Sequence, residues 1–174
     1  MENVTIRAAE RADIGSMQAV EIAAGGAFVE VGMPEIARDE PLPDERLGDY
    51  VDGGRAWVGT AGTDVVAYIV ADVVDGNAHV EQVSVHPEFA GRRIGARLID
   101  TVAGWAARRR MPALTLTTFR DVPWNAPYYE RLGFVRLEPA DLGDGLRALM
   151  ATEADHGLEP AKRVAMRRAV EISG

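Results

Sequence analysis

The sequence that decides the fold is the stretch at residues 79–99, HVEQVSVHPEFAGRRIGARLI. Its first seven residues alternate as in a strand, and one face carries His79, Glu81, Val83 and Val85. The other face carries Val80, Gln82 and Ser84. A short loop with Pro87 and Gly91 follows, and from Ile94 the apolar residues recur at helical spacing. We therefore predict a strand, a turn and the N-terminus of a helix.

The turn between this strand and this helix is suited to an anion. A helix start presents unpaired backbone N–H groups and the positive end of the helix dipole. Gly91 and Gly95 would let phosphate oxygens approach those groups closely. The stretch has neither the Lys-Ser/Thr pair of a P-loop nor the G-x-G-x-x-G spacing of a Rossmann turn. Two glycines at this spacing also fit an ordinary turn, so both interpretations stay open at this point.

The rest of the chain predicts strands and helices in a mixed order. The further predicted strands cover residues 4–7, 56–60, 65–74, 114–118, 134–137 and 163–170. The last of these also permits a helix. The predicted helices cover residues 9–24, 92–110, 127–132 and 142–156, with another beginning near residues 42–45. Turn signals at residues 62–63 and 75–77 join three consecutive strands into an antiparallel meander.

The composition is that of one globular domain spanning residues 1–174. Apolar residues make up 47% and charged residues 26%, which is enough apolar material for a core. The absence of cysteine excludes disulfides, thiolate metal sites and an acyl-cysteine intermediate, and we expect no bound metal. A formal net charge of −8 argues against a nucleic-acid partner.

The N-terminal residues and the apolar runs predict neither a signal peptide nor a membrane span. Residues 1–11 contain Glu2 and Glu10 and no apolar core. The longest apolar run, at residues 65–74, is interrupted by Asp72. We therefore expect a cytoplasmic protein with no membrane partner.

The pattern V-x-P-E-x-x-G-R-x-I-G at residues 85–95 resembles the acyl-CoA-binding signature of the GNAT superfamily of acetyl-CoA-dependent N-acetyltransferases. About forty residues further on, PYYERLGF at residues 127–134 resembles the family's second signature, a short helix ending in Tyr-Glu-x-x-Gly-Phe. The resemblance implies an α/β fold with a GNAT-type mixed central sheet flanked by helices. Its N-terminal half would be the antiparallel meander, and the sheet would splay at the fourth strand. Almost the whole chain is covered.

The resemblance also implies where acetyl-CoA, the cosubstrate, would bind. The pyrophosphate would lie on the turn after Gly91, on the backbone amides of Arg92, Arg93, Ile94, Gly95 and Ala96. The pantetheine arm would follow the strand at Val83, Ser84 and Val85, and Asn125 stands near a position where family members often bind it. Two residues depart from the family pattern: Ala90 replaces a common Gln or Arg, and Arg93 replaces a usual Gly. Arg93 would fit if it already had helical φ and ψ.

Transfer to an amine needs a base for the amine proton and an acid for the leaving thiolate. Glu81 is the first candidate base and His79 the second, since family members carry such groups at these places on the strand. Their plainer interpretations are a carboxylate at the sheet surface and an edge residue at a hairpin. By resemblance Tyr129 is the acid, and Tyr128 would then face the core. His86, before Pro87, is interpreted as structural.

The sequence therefore predicts an acetyltransferase that moves acetyl directly from acetyl-CoA to an amine of a small molecule or peptide. The enzyme alternatives are transfer of a longer acyl group or to a hydroxyl or hydrazide acceptor, and the alternative from another class is a non-catalytic acyl-CoA-binding sensor. Residues 2–55 hold twelve acidic residues against five arginines, from which we hypothesise a cationic acceptor. A homodimer is left open.

Overall fold

A computed structural model describes residues 3–33 and 40–172. Within these ranges the strands are β1 Val4–Ala8, β2 Ala56–Ala61, β3 Asp64–Val74, β4 Asn77–Val85, β5 Ala113–Phe119, β6 Val135–Arg136 and β7 Arg163–Ala169. The helices are α1 Ile14–Gly25, α2 Asp44–Asp52, α3 Ile94–Arg108, α4 Ala126–Arg131 and α5 Asp144–Asp155. Each predicted element is confirmed to within a few residues. Residues 34–39, which lie within the acidic region at residues 2–55, are outside the described residues.

The segment with two possible structures, residues 163–170, forms strand β7. Its apolar residues alternate, and Val164 and Met166 are buried. A strand places such residues on one face, whereas a helix would distribute them around its axis. β7 pairs with β5 over seven residues, from Arg163 opposite Phe119 to Ala169 opposite Ala113.

The strands form one mixed sheet in the order β1-β2-β3-β4-β5-β7-β6, which confirms the predicted fold class. The predicted meander corresponds to β2, β3 and β4: β2 pairs antiparallel with β3, and β3 neighbours β4 in the sheet. β1 pairs antiparallel with β2. β4 pairs with β5 in parallel, and among the described residues the register covers two pairs, Ala78↔Leu114 and His79↔Thr115. The short register agrees with a sheet that opens beside β4.

The chain divides into two compact units, each made of two segments. The first unit is Met1–Ala71 with Gln82–Thr101, and the second is Asp72–Glu81 with Val102–Gly174. The prediction of one domain over residues 1–174 stays a prediction.

The first unit buries α1 and α2 against the meander. Ile14, Met17 and Val20 recur at helical spacing on α1 and are buried together with Leu47 and Tyr50 of α2. At the start of α1, both guanidinium nitrogens of Arg7 donate to the carboxylate of Asp13, at 2.8 and 2.9 Å. This bond to Arg7 lowers the pKa of Asp13 below its usual range, and the N–H of Glu10 reinforces it.

The second unit ties α5 to the turn between β3 and β4. The carboxylate of Asp75 accepts the N–H groups of Gly145 at 2.7 Å and Leu146 at 3.0 Å, two of the unpaired donors at the start of α5. A Cβ on Gly143 would lie 2.6 Å from Asp75 Oδ2, so any larger residue there would displace the carboxylate that caps α5. Within the described residues, no helix is long and apolar enough to cross a membrane.

Candidate functional site

The turn before α3 presents backbone donors, as predicted. Gly91 has φ +79 and α3 begins at Ile94. The N–H of Arg97 donates to the Arg93 carbonyl at 3.1 Å, an i to i−4 helical hydrogen bond. The amides at positions 94–96 precede this bond and belong to the first turn of α3, where helical N–H groups have no such partner. These amides can therefore receive an anion.

Arg93 departs from the sequence expectation. Its φ is +61, in the left-handed region, so the condition under which a non-glycine residue would fit here, a helical φ, is not met. This conformation costs an L-residue about 1–2 kcal/mol, which explains why glycine is usual at the position. Arg92, Arg93 and Arg97 are all exposed, and the Arg92 guanidinium lies 4.8 Å from the centre of the Phe89 ring.

The second half of β4 carries the three residues predicted to follow the pantetheine. Val83 and Val85 are half-buried and Ser84 is buried. The Gln82 side chain donates to the Ser84 hydroxyl at 2.9 Å, so these two residues share a face as the alternation predicts. His86 closes the strand: its Nδ1 accepts the N–H of Glu88 at 3.1 Å, which agrees with its structural interpretation.

In the second unit, β4 and β5 bring together His79, Glu81 and Thr115. His79 is 1% exposed, and its Nδ1 lies 2.9 Å from the Thr115 hydroxyl. Its Nε2 faces Glu81 Oε2 at 3.8 Å, and the Glu81 side chain is 26% exposed. His79 is therefore not an edge residue, because β4 has a neighbour on each side and the imidazole is enclosed.

Burial controls the charge of His79. Removal from water lowers the pKa of the imidazole below its ordinary value, although the carboxylates of Asp72, Glu153 and Asp75 each raise it in part. The imidazole is therefore neutral at neutral pH, and one of its two ring nitrogens carries the proton.

A second polar cluster lies on β5, two residues beyond Thr115. The Thr117 hydroxyl donates to Glu153 of α5 at 2.6 Å, and the Arg163 guanidinium contacts both of these residues. Arg163 also lies 4.6 Å from the centre of the Phe119 ring. Sequence reasoning missed this cluster and Thr115, because its members come from separate strands and a helix and share no motif.

The two tyrosines of α4 differ from expectation in one respect. Tyr129 is the buried ring and packs edge-on against Phe134, with the ring centres 5.8 Å apart, while Tyr128 is half-buried beneath Arg131. The expectation that Tyr128 faces the core is thus wrong, since the helix turns Tyr129 inward. Burial raises the pKa of Tyr129 well above its ordinary value, which keeps the hydroxyl protonated at neutral pH.

Asn125 has a structural task at the end of β5. Its side-chain oxygen accepts the Phe119 N–H at 3.4 Å, and its carbonyl accepts the Tyr129 N–H at 3.0 Å at the start of α4. These bonds position the α4 helix relative to β5. Contact of Asn125 with pantetheine stays a prediction.

The chain belongs to the Acetyltransferase (GNAT) family, whose model matches residues 28–134, more than half of the chain. This match includes both sequence signatures, the turn at residues 85–95 and the α4 segment.

Solved structures of the same fold include several N-acetyltransferases. The chain is similar to the ribosomal-protein-S18-alanine N-acetyltransferase from Escherichia coli, with 18% identity, a TM-score of 0.65, and 99% of this chain and 97% of that one covered. It is similar to the PaiA N-acetyltransferase from Thermoplasma acidophilum in complex with coenzyme A, with 13% identity, a TM-score of 0.66, and 96% and 99% covered. It is also similar to the N-acetylglutamate synthase from Neisseria gonorrhoeae complexed with coenzyme A and N-acetyl-glutamate. Here the identity is 12% and the TM-score 0.73, with 98% of this chain and 36% of that one covered.

Proposed function

We propose that this protein is an acetyl-CoA-dependent N-acetyltransferase that transfers acetyl directly to an amine. The observation that carries the proposal is on β4: a partly exposed carboxylate, Glu81, stands on the strand that runs through Val85 towards the donor-rich turn before α3. One segment thus supplies a base and leads to an anion site. Family membership and similar structures that contain coenzyme A support the cosubstrate.

The proposed reaction is direct attack of the acceptor nitrogen on the thioester carbonyl. A C–N bond forms, a backbone N–H of the Val83–Val85 segment of β4 polarises the carbonyl oxygen, and the C–S bond then breaks. Glu81 receives the proton of the attacking amine, directly or through water. Tyr129 gives its hydroxyl proton to the departing thiolate. Burial raises the pKa of Tyr129, so the proton is in place beforehand, although the hydroxyl is a weaker acid than an exposed tyrosine.

His79 is less suited than Glu81 to act as the base. Its ring is enclosed and its Nδ1 is held by Thr115, whereas the Glu81 carboxylate is reached by solvent. An amine that enters from solvent would therefore meet Glu81 before it met the imidazole.

The test is acetylation of an amine panel with acetyl-CoA, comparing wild type with Glu81→Gln. We expect kcat/KM to fall about 10²-fold or more at neutral pH, with a smaller loss at higher pH, because free amine then accumulates without a base. Glu138→Gln, the same change at an exposed loop position, should behave as wild type. A pH-independent loss would assign Glu81 a structural role. Coenzyme A binding without acetylation of any amine would favour the sensor alternative.

Within this proposal the acceptor is a cationic amine. The support is the net charge of −8 and the carboxylate at Glu81. Part of the acidic N-terminal third is engaged internally, since Arg7 binds Asp13 and Arg11 binds Asp52. We expect kcat/KM to decrease as salt screens the attraction. Preference for neutral or anionic amines in the panel would contradict this choice.

A further inference from the structure

A series of polar side chains leads from Thr115 on β5 through His79 to Glu81. The Thr115 hydroxyl contacts His79 Nδ1 at 2.9 Å, and the opposite ring nitrogen faces Glu81 Oε2 at 3.8 Å. Thr115 and His79 are both 1% exposed, so water does not compete for their contact. The parallel register that pairs His79 with Thr115 turns the two side chains to the same face of the sheet.

The neutral imidazole carries one proton, and the two places for it are not equivalent. If Nδ1 held the proton, the lone pair of Nε2 would point at a carboxylate oxygen, which is repulsive. If Nε2 holds it, an N–H points at the carboxylate and Nδ1 is free to accept the Thr115 O–H. The second arrangement satisfies both ends of the ring.

The charged groups around the ring favour the same arrangement. Asp72 and Asp75 stand on the same hairpin as His79, and Glu153 acts on it from α5. On β7, Arg167 stands opposite Thr115, and Arg163 is bonded to Glu153 and Thr117. Glu81 is the carboxylate that lies 3.8 Å from Nε2, so a proton on Nε2 is directed at it.

We infer that Thr115 and His79 are positioning residues for Glu81: the Thr115 hydroxyl holds the imidazole in the Nε2–H form, and that N–H orients the Glu81 carboxylate. A small rotation of the partly exposed Glu81 side chain closes the 3.8 Å gap to a hydrogen bond. This hydrogen bond would fix the direction in which the Glu81 carboxylate meets the acceptor amine. The role of Glu81 in this inference rests on the proposed function, whereas the Thr115–His79 pair does not.

Nitrogen NMR of the folded protein tests the pair without any turnover. The chain has three histidines, so single substitution of each assigns the His79 signals. We expect a protonated Nε2 and an unprotonated, hydrogen-bonded Nδ1 at neutral pH. Thr115→Val keeps the shape of the side chain but removes the donor, and should shift the Nδ1 signal and weaken the tautomer preference. Thr115→Ser should restore both.

Kinetics tests the connection to Glu81. We expect Thr115→Val to lower kcat/KM about 10-fold, with most of the loss in kcat, because a misoriented base lowers the rate after the acceptor is bound. Thr115→Ser should recover activity to within about 3-fold of wild type. The matched control is Thr118→Val, the same change at a buried position on the opposite face of β5, which should leave kcat/KM and the His79 signals unchanged.

Three results would overturn the inference, and the first two are a proton on His79 Nδ1 in the wild type and a loss of activity in Thr115→Val no larger than in Thr118→Val. Thr115→Ser equal to Thr115→Val in activity would also overturn it, because the methyl and not the hydroxyl would then matter. Absence of acetylation in the wild type would refute the proposed function instead, and the NMR result would still decide the Thr115–His79 pair.

Discussion

The turn at residues 91–94 and the strand contact between His79 and Thr115 differ in where their polar groups come from, the backbone in the turn and the side chains in the strands. In the turn, Gly91, Arg92 and Arg93 are exposed, and the groups suited to binding are backbone amides whose direction is set by positive φ angles. In the strands the backbone is regular, and enclosed side chains carry the polar groups. The turn should therefore tolerate new side-chain chemistry but not lost space or altered φ. The strand contact should instead be sensitive to a change in the polar groups of its side chains.

The largest expected effect comes from filling the space beside the turn. Gly95→Trp places a ring over the amides at the start of α3, so acetyl-CoA binding measured by calorimetry should be lost while the circular dichroism spectrum stays unchanged. Gly104→Trp is the control within the same helix, where a Cβ would meet only the flexible end of Arg108 at 3.5 Å. Unchanged affinity in Gly95→Trp would remove the turn from the proposed site.

Tyr129 is also an enclosed side chain, so removal of its hydroxyl should affect turnover more than a change in its shape. Tyr129→Phe retains the packing on Phe134 but removes the proton donor, so kcat should fall about 10²-fold with acetyl-CoA affinity nearly unchanged. Tyr128→Phe, the same change on a half-buried ring, should retain kcat. If Tyr128→Phe abolishes turnover and Tyr129→Phe does not, the two roles must be exchanged.

The neutral His79 should make stability depend on pH. Its pKa is lowered in the folded state, so below the ordinary value of 6.5 the unfolded chain binds a proton that the folded chain does not. The contribution of neutral His79 to the free energy of unfolding is complete above about pH 6.5. It is lost as the pH falls towards the pKa of His79 in the folded state, by at most about 1.4 kcal/mol per pH unit.

Denaturant unfolding between about pH 7.5 and pH 5 measures this slope. His79→Gln should reduce it, while His156→Gln, at the exposed end of α5, should leave it in place. Asp13 in the first unit provides the contrast: Arg7 lowers its pKa, so its contribution is lost only at pH values below the ordinary 3.8 of an aspartate. An identical slope in wild type and His79→Gln would contradict a lowered pKa of His79 in the folded protein.

The smallest effect is expected at Arg93. Glycine adopts φ near +61 without penalty but loses more entropy on folding, so Arg93→Gly should raise the free energy of unfolding by no more than about 1 kcal/mol. Arg92→Gly, one residue earlier, gains no such relief and should lower it. The comparison is made by denaturant unfolding, and a destabilised Arg93→Gly would contradict the strain at this position.

Local patterns predicted most of the fold because the forces that they report are local. On α3, the residues Ile94, Leu98, Val102 and Trp105 form one helical stripe in the sequence, and all four are buried. The alternation in β4 and the Asp75-Gly76 turn were equally readable. The strand register then follows from the turn and from which face is apolar.

The parts that sequence did not predict depend on partners far along the chain. His79 and Thr115 are 36 positions apart, and their contact follows from the register of two parallel strands that no motif records. The orientation of the tyrosines in α4 depends on where Phe134 packs, and the left-handed φ of Arg93 runs against its residue type. At the strand contact and at the tyrosines, tertiary structure decided between alternatives that the local sequence left open, whereas Arg93 adopts a conformation that its residue type disfavours.

The cap on α5 has a consequence for how the sequence can vary. A Cβ on Gly143 would lie 2.6 Å from the Asp75 carboxylate, too close for both to fit, although the two residues are 68 positions apart. A substitution at either position therefore changes what the other can accept, which is epistasis between a hairpin turn and a helix start. Gly143→Ala should cost less in an Asp75→Gly background than in the wild type. Across relatives that keep this helix, the two positions should covary.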